Sequence, residues 1–236
     1  HGEVVIVGDF ETSAVMPSLE TLVENWESEA AFARIPEAAQ VDLPGREITI
    51  ETPDKANAVY LAGLNLAIKD GDADFAPLVM ANFILGGGSL ASRLGDRVRQ
   101  QEGLSYGIRS GFSAHPIDDR GRLTISAITN PINRTKLEKA ISEELNRWIE
   151  EGITEEELKR AQQGYLQGQQ LQRSNDRVLT GLIGSTLFAG RTLDYYADLE
   201  KAIGRLYPEA VNETVRERIS SNKLIQVFAG DVGAKE

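Results

Sequence analysis

The stretch YGIRSGFSAHPIDDRGRLTISAIT, residues 106–129, decides the fold. Tyr106, Ile108, Ser110, Phe112 and Ala114 occupy alternate positions, and Leu123, Ile125 and Ala127 alternate again beyond Asp118-Asp119-Arg120-Gly121. A period of two sends side chains of one parity to one face of a strand, and a polar turn between two such runs marks a hairpin. Upstream, Ser89 to Gln101 reads as a helix with Leu90, Leu94 and Val98 on one face, stopped by Gly103. Before it, Gly86-Gly87-Gly88 closes an apolar helix over Asp74 to Leu85, and Arg46–Thr52 and Ala58–Ile68 read as strands. Downstream, Asn130-Pro131 pairs an N-cap with proline at the first helical position. Leu137, Ala140, Ile141, Leu145, Trp148 and Ile149 then form an apolar stripe ended by Gly152.

The outer segments complete the pattern. Thr154 and Glu157 form a capping box opening a nearly continuous helical run to Ile219, broken near Asn175, Gly190 and Pro208. Leu224–Phe228 supplies a last strand. At the other end, Val4–Val7 reads as a buried strand ended by Gly8-Asp9. A helix follows, carrying Leu19, Leu22, Val23 and Trp26, with Ser13 as its N-cap. This order of elements predicts an α+β fold, a mixed, mainly antiparallel sheet with helices packed on one face. No composition shift marks a boundary, so residues 1–236 are expected to form a single domain. The chain opens directly in a strand with no visible signal peptide, and is expected to be a piece of a longer protein.

Composition excludes several function classes. The net charge of -11 argues against nucleic acid, whose phosphates need a basic footprint. The chain holds no cysteine, which removes disulfides, thiolate metal sites and cysteine nucleophiles. No apolar run approaches the roughly 20 residues of a membrane span. The glycines at 86–88 follow a helix and lack the Gly-Lys-Ser/Thr ending of a phosphate-binding loop, so a nucleotide site is not expected. The two histidines are His1, at the chain edge, and His115, expected to be solvent-exposed beside Pro116. A zinc peptidase site needs two or three imidazole or carboxylate ligands and a glutamate to activate water. Neither histidine belongs to a His-x-x-Glu-His or His-Glu-x-x-His pair, so no metal site is expected in this chain.

The most informative segment runs from Leu85-Gly86-Gly87-Gly88-Ser89-Leu90-Ala91-Ser92-Arg93-Leu94 to Arg99-Gln100-Gln101-Glu102-Gly103-Leu104-Ser105-Tyr106. It resembles the second-domain signature of the insulinase, or pitrilysin, type of zinc peptidases (inverted zincins). There a glycine-rich turn precedes Ser-Arg-Leu, and an arginine stands seven residues before a tyrosine. Gly8-Asp9 and the run Ile153-Thr154-Glu155-Glu156-Glu157-Leu158-Lys159-Arg160-Ala161 also match, so the resemblance spans nearly the whole chain.

The resemblance implies the LuxS/MPP-like metallopeptidase fold and a zinc-free, inactive domain that closes over a peptide substrate. It implies that Arg99 and Tyr106 bind the substrate and stabilise the transition state in trans, with Gly86, Gly87 and Gly88 lining the substrate cleft. Zinc is expected only in a His-x-x-Glu-His partner half, fused or separate, so this chain alone would be catalytically silent. A periplasmic or secreted setting is expected of the parent protease. The alternative is a non-enzymatic scaffold or interaction subunit related to the same peptidases. Taken alone, Arg99 reads as a solvated helix arginine and Tyr106 as an ordinary strand residue with its ring in the core; the full motif in its setting reverses that preference. Arg93 reads as a structural salt-bridge partner, and Trp148 and Tyr195-Tyr196 as core or interface.

Overall fold

The computed structural model describes residues 2–24, 26–27, 29–88 and 91–233. The expectations at His1, Ser89 and Leu90 fall outside the described residues. The chain divides into two compact units, residues 37–167 with 198–236, and residues 1–36 with 168–197.

The larger unit is built on a five-stranded sheet in the order β1-β5-β2-β4-β3. Its strands are β1 (Arg46–Glu51), β2 (Ala58–Leu66), β3 (Ser105–Ala114), β4 (Gly121–Thr129) and β5 (Ile225–Gly230). Only β1 and β5 run parallel; the β5-β2, β2-β4 and β4-β3 pairs are antiparallel. The hairpin read from residues 106–129 is present, with Ile108 opposite Ala127, Ser110 opposite Ile125 and Phe112 opposite Leu123. Alternation decides the layers. Ala58, Tyr60, Ala62, Leu64 and Leu66 are buried from β2, and Leu123, Ile125 and Ala127 from β4. The intervening Val59, Leu61 and Ile128 are exposed on the other face.

The covered face packs on helices. α2 (Phe75–Asn82) is apolar almost all round and continues as a π-helical turn, Phe83–Gly87, where a plain α-helix to Leu85 was expected. The described part of the next helix likewise ends in a π-helical segment, Gly95–Gln101. Such wide turns occur mostly as short insertions, often at functional sites, and here glycines flank or open both. α3 (Arg134–Glu150) buries Leu137, Ala140, Ile141, Leu145 and Trp148, so the predicted stripe is core. α4 (Glu155–Arg173) opens with the expected capping box: the Glu157 N–H donates to Thr154 Oγ1 at 3.2 Å, and the Thr154 N–H donates to Glu157 Oε2 at 2.8 Å. α6 (Asp194–Gly204) and α7 (Pro208–Arg218) bury Ile203, Val211 and Val215. The rings of Tyr195 and Tyr196, at the start of α6, meet edge to face at 5.1 Å between centroids.

The smaller unit departs from the sequence reading. Val4–Val7 forms no strand; Val4 and Ile6 are 55% and 43% exposed. An apolar run becomes a strand only with a neighbour to complete its hydrogen bonds, and none is paired to it among the described residues. The similar run ending at Gly230 lies between β1 and β2 and is a strand for that reason. α1 (Thr12–Val23) starts one residue before the expected cap, with Glu11 at the N-cap making no side-chain cap bond. Its helical periodicity is real, yet it buries no residue, and Trp26 lies beyond its end. α5 (Asp176–Phe188) is capped by Asn175, whose Oδ1 accepts from the N–H groups of Arg177 and Val178.

Candidate functional site

The site starts from a close approach. A Cβ on Gly86 would stand 2.5 Å from the Ser110 nitrogen and 2.6 Å from its Oγ, so only glycine lets the turn after α2 lie against edge strand β3. The Ser110 hydroxyl completes the join by donating to Asn82 Oδ1 at 2.7 Å. Gly87 and Gly88 are held as closely, against the Asn82 side chain and the Phe83 carbonyl respectively.

The next helix is fixed from below by Arg93, whose side chain is 12% exposed. Its Nε donates to Glu157 Oε1 at 2.7 Å, and its Nη2 donates to Glu157 Oε2 at 2.9 Å and to the Gly152 carbonyl at 2.7 Å. This planar fork gripping a carboxylate with two parallel bonds is the strong form of the ion pair. Burial alone would lower the Arg93 pKa, but the hydrogen bond and charge of Glu157, with Glu144 nearby, raise it overall. Burial would raise Glu157, but Arg93 and the bonds from Thr154 hold it below the usual carboxylate value. Glu144, 6% exposed, is raised, because burial outweighs its arginine neighbours, which stand 3.6 Å (Arg147) and 3.9 Å (Arg93) away. The salt-bridge role read for Arg93 is therefore present.

Leu94 and Val98 bury this helix and leave Arg99 half-buried at its rim. Gly103, at φ +62°, reverses the chain in a conformation that L side chains rarely adopt, and the Leu104 N–H closes on the Val98 carbonyl. Strand β3 then begins with an irregularity. Ser105 pairs with Thr129 and Gly107 with Ile128, leaving Tyr106 as the extra residue of a bulge. The Ser105 hydroxyl fixes the bulge, donating to the Ile128 carbonyl at 2.7 Å and accepting from the Gly107 N–H at 3.2 Å. The extruded Tyr106 ring is 88% exposed, so it is not an ordinary strand residue turned into the core. The Arg99 guanidinium lies over it, 5.1 Å from the ring centroid, within cation–π range.

Arg99, Gly86 and Gly87 line one cleft of about 360 Å³, with Gly95, Gly107 and Arg109. The structure thus brings four of the five predicted site residues together, Tyr106 standing beside the cleft on Arg99. Gly88 is separate and borders a smaller cavity with Phe83 and Arg93. Arg109 escaped the sequence reading. Its signal was parity alone: it lies between Ile108 and Ser110, so it must point to the uncovered face.

Among the described residues, no group of three histidine, aspartate or glutamate side chains comes together. His115 is mostly buried rather than solvent-exposed, because its Nδ1 accepts from the N–H groups of Ile117 (3.2 Å) and Asp118 (2.9 Å) and so closes the hairpin loop.

Comparison with known proteins agrees with this architecture. Residues 2–165 match the family described as the peptidase M16 inactive domain. No curated protein matches the chain. Among solved structures, a peptidase M16 inactive domain from Pseudomonas fluorescens is similar at 25% identity and a TM-score of 0.80, covering 97% of this chain and 53% of that one. A protease from Helicobacter pylori is similar at 17% identity and a TM-score of 0.79, covering 95% of this chain and 53% of that one. The periplasmic protease PqqL from Escherichia coli shares the fold at 17% identity and a TM-score of 0.64, covering 91% of this chain and 24% of that one. The chain therefore spans about half the length of the first two of these structures.

Proposed function

The chain belongs to the family of peptidase M16 inactive domains, and from that premise we propose that residues 1–236 act as one zinc-free domain that closes over a peptide held for cleavage by a zinc-bearing half. The partner half supplies the metal and the water it activates. This chain supplies recognition. The observation that carries the reading is the exposed Tyr106 ring, extruded by a bulge at an edge strand and stacked with Arg99 on the rim of the glycine-lined cleft. An exposed tyrosine hydroxyl can donate to a carbonyl oxygen as negative charge develops there, and an arginine fork holds peptide carbonyls in register. The likeness to a protease named periplasmic supports a periplasmic or secreted setting, and no described helix is long and apolar enough to cross a membrane.

The test is cleavage of a reporter peptide by the chain combined with its zinc-bearing half. Tyr106→Phe should lower kcat by roughly 10²- to 10³-fold, the usual cost of one donor to a developing oxyanion. Arg99→Ala should raise KM. Neither substitution should change stability much, because both side chains reach solvent. Unchanged kcat and KM in both variants would overturn the reading. They would favour a non-enzymatic scaffold, for which the apolar open sheet face at Val59, Leu61 and Ile128 offers a docking surface.

A further inference from the structure

The cleft holds a second cation that the proposed recognition pair does not use. Arg99 and Arg109 both line it, and neither is paired with a carboxylate among the described residues. In the same unit Arg93, Arg97, Arg120, Arg134 and Arg147 each stand against a glutamate. In a chain of net charge -11, two guanidinium groups in one cleft without a carboxylate against either amount to a local anion site. Arg109 is anchored for that task, its Nε donating to Ser126 Oγ across the hairpin at 3.4 Å. On its other side, Arg109 borders a second, shallow cavity lined by Val59, Leu61 and Ile128. Gly107 and Ile108 are shared by both cavities, so the two surfaces are continuous.

We propose that Arg109, with Arg99, makes this cleft selective for a peptide carboxylate next to an apolar side chain. The carboxylate would sit between the two forks, each able to bind it through two donors, and the apolar side chain would lie over Val59, Leu61 and Ile128. The carboxylate comes either from an acidic side chain or from a peptide C-terminus. The inference rests on the reading of the cleft as a peptide site.

Three short peptides distinguish the possibilities, titrated into the intact chain with amide shifts followed by NMR. One carries Val-Glu with both ends blocked, one carries Val-Gln with both ends blocked, and one ends in Val-Gln with a free carboxylate. A carboxylate-bearing peptide should bind roughly tenfold tighter than the blocked Val-Gln peptide, as expected for charge-assisted hydrogen bonds, and Arg109→Gln should shrink that ratio to about twofold or less. Arg109→Lys should keep part of it, and added salt should weaken it. Which of the two carboxylate peptides gains identifies the source. A ratio of one in the native chain, or a ratio unmoved by Arg109→Gln, overturns the proposal. The blocked Val-Gln peptide separates this outcome from the parent reading. If it binds and Arg99→Ala weakens it while the ratio is one, the anion subsite fails and peptide recognition stands. If no peptide binds, the anion subsite fails, while the parent reading stands or falls by the cleavage assay with the zinc-bearing half.

Discussion

Replacing Arg93 with methionine keeps the length and apolar stem of the side chain but removes the cation that joins three segments of the larger unit. Three hydrogen bonds go with it, two to Glu157 and one to the Gly152 carbonyl. Breaking a buried pair by removing one partner costs about 3–5 kcal/mol. Two features place this case at the low end. Glu157 is 29% exposed, so water can reach it, and Thr154 continues to donate to it. Glu144 gains no such relief, being 6% exposed with Arg147 at 3.6 Å as its remaining close cation. We expect a loss of about 3 kcal/mol, a large share of the roughly 5–15 kcal/mol that stabilises an ordinary domain. Urea unfolding followed by circular dichroism measures it. A double-mutant cycle with Glu157→Gln then isolates the pair, with an expected coupling of at least about 1.5 kcal/mol. A loss below about 1 kcal/mol for Arg93→Met, or additive single variants, would refute the assignment of Arg93 as the clamp beneath the Arg99 helix.

Two further outcomes follow from the same geometry. Gly86→Ala should destabilise by about 1–3 kcal/mol through overpacking, since the new methyl meets the Ser110 backbone nitrogen at 2.5 Å; chemical denaturation reads the loss, and the displaced turn should also weaken peptide binding. Glu144→Gln should be more stable than the native chain at pH 7, with the difference closing as pH falls towards 4.5. The folded Glu144 carboxylate is raised above 4.5, so its ionisation opposes folding above that raised value and ceases to do so below 4.5. Glu157 has the opposite sign: it is lowered from 4.5, so its stabilisation is full above 4.5 and is lost as pH falls through the depressed value. Melting temperatures of the native and Glu144→Gln chains between pH 7 and pH 4 check the first sign, and those of a Glu157→Gln chain followed from pH 7 to below pH 4 check the second.

The comparison between sequence and structure separates by the range of the interactions involved. Local rules were enough for the hairpin at 106–129, the α3 stripe, the capping box at Thr154 and Glu157, and the break near Asn175, because each is set by residues a few positions apart. The same reasoning failed at Val4–Val7, whose apolar character matches that of β5. Whether such a run becomes a strand depends on a neighbour distant in sequence, and β5 has two.

The candidate site divides in the same way. The spacing of Arg99 and Tyr106 is legible in the sequence and carried the family resemblance together with the glycine-rich turn, Gly8-Asp9 and the run at 153–161; the lack of any zinc-type histidine pair is legible there too. Only the tertiary structure decided that Tyr106 is extruded rather than buried, because a one-residue bulge against β4 reverses the parity that alternation predicts. Only it placed Arg109 in the same cleft as Arg99, since that neighbourhood arises where the Gly86 turn lies against the edge strand. Residue types and short spacings determine which helices and strands can form and which zinc-binding motifs the chain lacks. Which side chains share a cleft depends on register and close approach between segments remote in the chain, and these are settled only by packing.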